Sequence, residues 1–149
     1  LDTAAAKKLP RYEVEQPEYN LYERGGFEGP LRDLCMARGV GVIVYYSLAS
    51  GFLSGKYRTK ADLKGSARAG GVEKYLNERG LRILAALDAV AGAHGAKPAE
   101  VALAWLMARE GVTAPIASAT NADQVDSLVR ATQLELSPQE IASLTAASD

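Results

Sequence analysis

The run Val40-Gly41-Val42-Ile43-Val44-Tyr45-Tyr46 constrains this chain more than any other segment, because it is continuously apolar and rich in β-branched residues. A strand with one solvated face alternates apolar and polar residues. An unbroken apolar run is instead what a strand needs when both its faces are buried in a parallel sheet. Parallel strands cannot be joined by a tight hairpin, so each connection must cross back over the sheet, usually through a helix. Helices should therefore flank this run, and further strands should lie beyond them.

The flanking sequence follows that order. Arg11-Tyr12-Glu13-Val14-Glu15-Gln16 lies between Pro10 and Pro17, and Tyr12 and Val14 alternate with polar neighbours, which predicts a first strand. Glu28 to Arg38 places Leu31, Leu34 and Cys35 on one helical face, with Gly39 standing where a left-handed C-cap belongs. The second strand is the run from Val40 to Tyr46. From Ser47 to about Gly71, glycines and scattered Lys and Arg predict a long loop, of the kind that is usually functional or disordered. Helical spacing returns at Leu81, Leu84, Ala85 and Ala91 and ends near His94-Gly95. It restarts at Pro98 with Val101, Leu103, Trp105 and Leu106, and Gly111 is expected to close that helix. Val112 to Ala117 reads as a third strand, although Pro115 cannot donate to a ladder. Asn121 caps a helix carrying Val125, Leu128 and Val129, and Ser137-Pro138-Gln139-Glu140 opens a last one with Ile141 and Leu144. The opening residues Leu1 to Lys8 also read as helix, as though the chain enters partway through an element. Strands alternating with helices imply right-handed crossovers and a parallel sheet, an α/β fold.

Composition narrows the function. The 17 basic residues against 18 acidic ones give a net charge of -1, which argues against nucleic-acid or anionic-membrane binding driven by bulk charge. No apolar run approaches the roughly 20 residues of a membrane span, and the first residues do not read as a signal peptide. One cysteine, Cys35, excludes an internal disulfide, and with the single His94 it leaves too few soft ligands for a structural zinc. A reducing cytoplasm is the expected compartment.

The inventory of catalytic side chains is thin. His94 at a helix end suits the negative pole of the helix dipole, Cys35 suits packing, and Trp105 with Leu103 and Leu106 suits a core. No serine sits in a nucleophile elbow. Ligands of parallel sheets collect beyond the carboxyl ends of the strands, so the three strand-to-loop junctions matter more. These are Gln16-Pro17, Tyr45 to Gly51, and Ser118 to Asn121. Together they offer an amide, an aromatic face, a glycine-containing loop with hydroxyls, and a helix N-terminus suited to phosphate. On local pattern alone Tyr45 can pack or stack, Gln16 can be an ordinary strand-end amide, and Lys56 and Arg58 can be solvated charges or phosphate partners.

Several ordered segments carry a resemblance beyond local pattern: Gln16-Pro17-Glu18-Tyr19-Asn20-Leu21, Tyr45 through Arg58, Val101 to Leu106, and Pro115 to Thr120. From Leu1 to Asp149 the chain resembles the carboxyl-terminal half of an aldo-keto reductase, in the branch with bacterial oxidoreductases and potassium-channel β subunits. The resemblance implies an eight-stranded (β/α) TIM barrel that binds NADP(H) at its carboxyl-terminal rim and reduces aldehydes or ketones by hydride transfer. It implies that Gln16 contacts the nicotinamide carboxamide and that Tyr45 stacks on the ring. Tyr46, Ser47, Leu48, Ala49 and Ser50 would line the pyrophosphate loop, with Lys56 and Arg68 reaching phosphates. Ser118, Thr120 and Gln124 match positions that hold the adenosine end. The match departs at Ser127 and Leu128, where family members often place Glu and Asn.

The resemblance also implies an absence. The family's Asp, Tyr, Lys and His tetrad comes from the first four strand units, and its Ser-Asn pair beside the carboxamide from the fifth, none of which is in this sequence. The three strands would be the sixth to eighth, and residues 1–149 a single incomplete domain, against about 250 residues for a typical complete barrel. This chain alone is then expected to be inactive, contributing the cofactor rim while a carbonyl substrate meets it only in a complete enzyme. Alternatives are a nucleotide-binding sensor, or a module that docks onto a half-barrel or a second copy to cover open sheet edges.

Overall fold

The computed structural model describes residues 1–65 and 69–149. Its central strand, β2, is Gly41–Val44, drawn from the apolar run. Strand β1, Val14–Glu15, pairs with it in parallel, matching Val14 to Gly41 and Glu15 to Val42. Strand β3, Ala114–Pro115, pairs in parallel on the other side, matching Ile43 to Ala114 and Val44 to Pro115. The spatial order β1-β2-β3 repeats the chain order. A doubly wound sheet reverses direction at a switch point, whereas a barrel adds each strand beside the last, so this order is that of a barrel segment.

Each strand is shorter than the apolar or alternating run that predicts it. At the first, an isolated parallel bridge from Glu18 to Tyr45 continues the pairing beyond Pro17. At the second, Tyr46 turns left-handed at φ 51° and ends the strand. At the third, the Val44 carbonyl accepts from Ile116 at 2.8 Å, one residue past Pro115, so the proline's missing N–H costs no bond.

The expectation of two buried faces on β2 is half met. Val42 and Val44 are fully buried, but Tyr45 is 37% exposed. The helices are α1 (Asp2–Lys7), α2 (Pro30–Arg38), α3 (Ala69–Val72), α4 (Glu78–His94), α5 (Pro98–Met107), α6 (Ala122–Gln133) and α7 (Pro138–Ala147), with α2 packing on β2 and α5 on β3. Helices α4 and α6 then pack on α5, and α7 packs on α4. Trp105 and Tyr19 meet in the core with ring centroids 5.6 Å apart, and the Trp105 indole donates to Thr145 Oγ1 at 3.1 Å.

Local chemistry sets the helix ends. Asn77 accepts from the Gly80 N–H and starts α4 ahead of Leu81. Asn121 and Ser137 cap α6 and α7 as their types demand, and Gly39 and Gly95 end α2 and α4 in left-handed conformations. Gly111 does not close α5, which ends at Met107. At φ 86° it makes the turn into β3 instead, where a Cβ would lie 2.9 Å from Arg32 Cγ.

The segment after Ser47 is also more ordered than a loop. It contains 3-10 turns at Ala49–Ser54, Lys60–Leu63 and Glu73–Tyr75 besides α3. Phe52, Leu53, Leu63, Val72 and Tyr75 anchor it by burial. No described helix is long and apolar enough to cross a membrane.

Candidate functional site

A cavity of about 500 Å³ opens at the carboxyl ends of β2 and β3. One wall is the loop Tyr46, Ser47, Leu48, Ser50 and Gly51; the other is Ile116, Ala117 and Ser118 beyond β3, with Gly71 of α3 alongside. The loop's backbone is unusual. Tyr46, Ala49 and Ser50 all have φ between 48° and 57°, and Gly51 lies at 93°. A non-glycine residue held there stores on the order of 1–3 kcal/mol, and such strain clusters at functional sites. Hydrogen bonds within the loop oppose it: Ala49 N–H to Tyr46 O at 2.7 Å, and Gly51 N–H to Leu48 O at 2.8 Å. Gly71 of α3 lies against the loop, where a Cβ would sit in ordinary contact with Ser50 Oγ at 3.4 Å.

The cavity gathers Tyr46, Ser47, Leu48, Ser50 and Ser118, from segments far apart in sequence. Ala49 is fully buried behind the wall, and Ser47 turns its hydroxyl to Val44 O at 3.2 Å, so it faces the cavity through its backbone. Tyr45 is not in the cavity wall. Its bridge partner is Glu18, and side chains alternate along a strand, so Tyr45, Ile43, Glu18 and Gln16 share the face opposite Val42 and Val44. Gln16 and Tyr45 are thus both presented on the open side of the sheet, and the Tyr45 and Tyr46 rings meet at 5.2 Å.

Thr120 and Gln124 are exposed at the start of α6, beyond Ser118. Gln124 Oε1 accepts from both the N–H and the hydroxyl of Thr120, at 2.8 and 3.2 Å. Lys56 is exposed and outside the cavity wall, its ammonium lying 4.9 Å from the centre of the Tyr57 ring. Arg58 is committed elsewhere, gripping Asp88 through both guanidinium ends at 2.7 and 2.8 Å. Arg68 lies outside the described residues. Ser127 is buried and donates to Glu100 Oε1 at 2.6 Å, so it faces the core.

The other candidate groups have structural partners. Cys35 is buried in the core, and burial pushes its thiol up, away from a reactive thiolate. His94 lies 2.8 Å from Glu140, joining α4 to α7. Among the described residues no His, Cys, Asp and Glu group could hold a metal. One residue has a role that the sequence does not assign: Asn20, within the Gln16–Leu21 segment, is fully buried beside Tyr46.

Comparison with known proteins decides the family. The sequence model of the Aldo/keto reductase family matches residues 1–149. The chain belongs to the aldo/keto reductase family. It is 33% identical to the L-glyceraldehyde 3-phosphate reductase of Escherichia coli O157:H7 over 138 residues, 88% of this chain and 40% of that protein. It is 31% identical to Protein tas of Escherichia coli K12, over 98% of this chain and 42% of that one. A probable voltage-gated potassium channel subunit beta of Oryza sativa is 34% identical over 75% of the chain and 36% of its own length. This aldo/keto reductase chain spans about two fifths of the length of the curated relatives it matches. The crystal structure of the thermostable aldo-keto reductase Tm1743, complexed with the inhibitor epalrestat, superposes with a TM-score of 0.71. That comparison covers 99% of this chain and 44% of that one at 24% identity, and it supports the TIM-barrel-like fold of an aldo/keto reductase segment.

Proposed function

We propose that this chain forms the nicotinamide-dinucleotide rim of an NADP(H)-dependent oxidoreductase that reduces aldehydes or ketones. The observation that carries the reading is the left-handed loop from Tyr46 to Gly51, which walls a cavity at the carboxyl end of the sheet opposite Ser118. The residues fit such a cofactor: beside Tyr46, Leu48 and Ile116, the wall carries the short side chains of Ser47, Ser50, Ala117 and Ser118 and the bare backbone of Gly51, which allow a pyrophosphate to approach closely. The open-face pair of Gln16 and Tyr45 suits the reactive ring, with an amide to pair a carboxamide and a flat aromatic to support it.

NADPH supplies, when bound, the hydride that converts a carbonyl carbon to an alcohol. This chain's residues bind and orient. Tyr45 would support one face of the ring, Gln16 would pair with its carboxamide, and the loop through Ser50 would hold the pyrophosphate, with Lys56 and Arg68 as the basic residues for its phosphates. Ser118, Thr120 and Gln124 would hold the adenosine end. The proton for the carbonyl oxygen would come from a tyrosine of the family tetrad, assigned outside these 149 residues. The remaining strand units, or a second copy, cover the open sheet face, where Val14, Tyr45 and Ile116 are exposed. A cytoplasmic setting suits the single, buried cysteine.

Fluorescence titration with NADPH tests the reading. Saturable binding, weakened at least about tenfold by Tyr45→Ala, is expected from loss of an aromatic contact. No saturable binding up to millimolar NADPH would overturn it. Steady-state carbonyl turnover by the 149-residue chain alone would overturn the assignment of the proton donor to residues outside it.

A further inference from the structure

Asn20 is fully buried, so its carboxamide must find partners inside the protein. Its Oδ1 accepts from the N–H groups of Tyr22 and Glu23, at 2.8 and 2.9 Å, forming a turn after β1. Its Nδ2 leaves that turn and donates to the Tyr46 carbonyl at 3.0 Å, 26 residues further along the chain. The residues just before Asn20 hold the same point. Tyr45 N–H donates to Pro17 O at 3.0 Å, and Tyr19 N–H to Tyr45 O at 3.4 Å. Pro17 to Asn20 thus grips the end of β2 at three successive polar groups.

That grip falls where the chain turns left-handed. Tyr46 has φ 51°, and no glycine stands nearby before Gly51 to favour the turn. Within the loop the Tyr46 carbonyl accepts from Ala49 N–H at 2.7 Å, and Asn20 is its partner from outside the loop. We propose that Asn20 is a positioning residue for the dinucleotide loop: by holding the Tyr46 carbonyl, it keeps the cavity wall in its binding shape. It sets cofactor affinity without touching the cofactor. This inference rests on the reading that the loop from Tyr46 to Gly51 holds the dinucleotide.

Asn20→Asp separates the two functions of the side chain. A carboxylate still accepts from Tyr22 and Glu23 but sets an oxygen against the Tyr46 carbonyl. In the full-length protein, NADPH affinity should fall at least about tenfold. Tyr46→Gly supplies the control, because glycine adopts positive φ without steric cost. In that background Asn20→Asp should weaken NADPH binding by less than about threefold, a non-additivity that a merely stabilising residue would not show. Asn20→Ser, which retains a turn-forming hydroxyl too short to reach Tyr46, carries the same comparison should the aspartate variant fail to fold. Binding by the variants within about twofold of the parent, or equal losses in both backgrounds, would overturn the proposal. Absence of binding by the parent protein would instead overturn the reading of the rim itself, and this inference with it.

Discussion

The hydroxyl of Ser127 donates to Glu100 Oε1 at 2.6 Å, tying α6 to the first turn of α5. Glu100 is only 3% exposed and also accepts from the Lys97 N–H and from Arg130. Burial pushes the Glu100 carboxyl up, but these bonds outweigh it and hold it below its ordinary value. Ser127→Ala leaves a buried carboxylate short of a donor and should cost about 1–3 kcal/mol. Urea unfolding measures the difference, and a change near zero would contradict this account of the contact.

Gly80 has no room for a methyl group. A Cβ there would lie 1.8 Å from the Tyr75 carbonyl and 2.9 Å from Phe52 Cζ. Glycine to alanine in a helix interior normally stabilises by roughly 1 kcal/mol. Here the sign should reverse, with Gly80→Ala destabilising by about 1–3 kcal/mol through overpacking. Thermal melting of the variant decides it: a rise in Tm would show that the approach of Tyr75 is not obligatory.

Acid should weaken the protein through Glu28. Burial pushes its carboxyl up, yet hydrogen bonds from Arg24 and Tyr19 and the charges of Arg24 and Arg109 hold it below the ordinary 4.5. A depressed value means that this stabilisation is present above pH 4.5 and disappears as pH falls through the folded-state value. Tyr19→Phe removes the 2.6 Å hydroxyl bond and should move the acid-unfolding midpoint to higher pH. An unchanged midpoint in an acid titration followed by fluorescence would refute the assignment.

Trp105 reports on the same core. It is the single tryptophan and is fully buried, so native emission should be blue-shifted and should move red on unfolding. Trp105→Ala removes the ring that packs on Tyr19 and the indole bond to Thr145, and should cost about 3–5 kcal/mol. Denaturant unfolding followed by far-UV circular dichroism checks this, since the variant lacks the fluorophore.

The sequence reveals most where the controlling interaction is local. Asn121 and Ser137 cap their helices because a short polar side chain reaches N–H groups three residues on. Gly39 and Gly95 end theirs because glycine accepts a left-handed backbone. Strand length was less legible, since Tyr45 and Tyr46 are equally good strand formers and the ladder ends between them where Asn20 and Ala49 both bond the Tyr46 carbonyl. The long segment after Ser47 looked like a loop because its anchors, Phe52, Leu63 and Tyr75, follow no single period. In the candidate site, Ser47 and Ser118 were readable as strand-end residues, whereas Asn20 was not, its partner lying 26 residues away.

By itself the sequence determined the alternation of strands and helices, the parallel sheet, the caps and the strand ends at which a ligand would gather. These follow from periodicity and from side chains acting within a few residues. Only the tertiary structure decided that Tyr46 turns left-handed, that Ser127 serves Glu100, and that Gly80 must remain small. Each depends on two segments distant in sequence meeting at hydrogen-bond or van der Waals range, and a linear pattern carries no record of that distance.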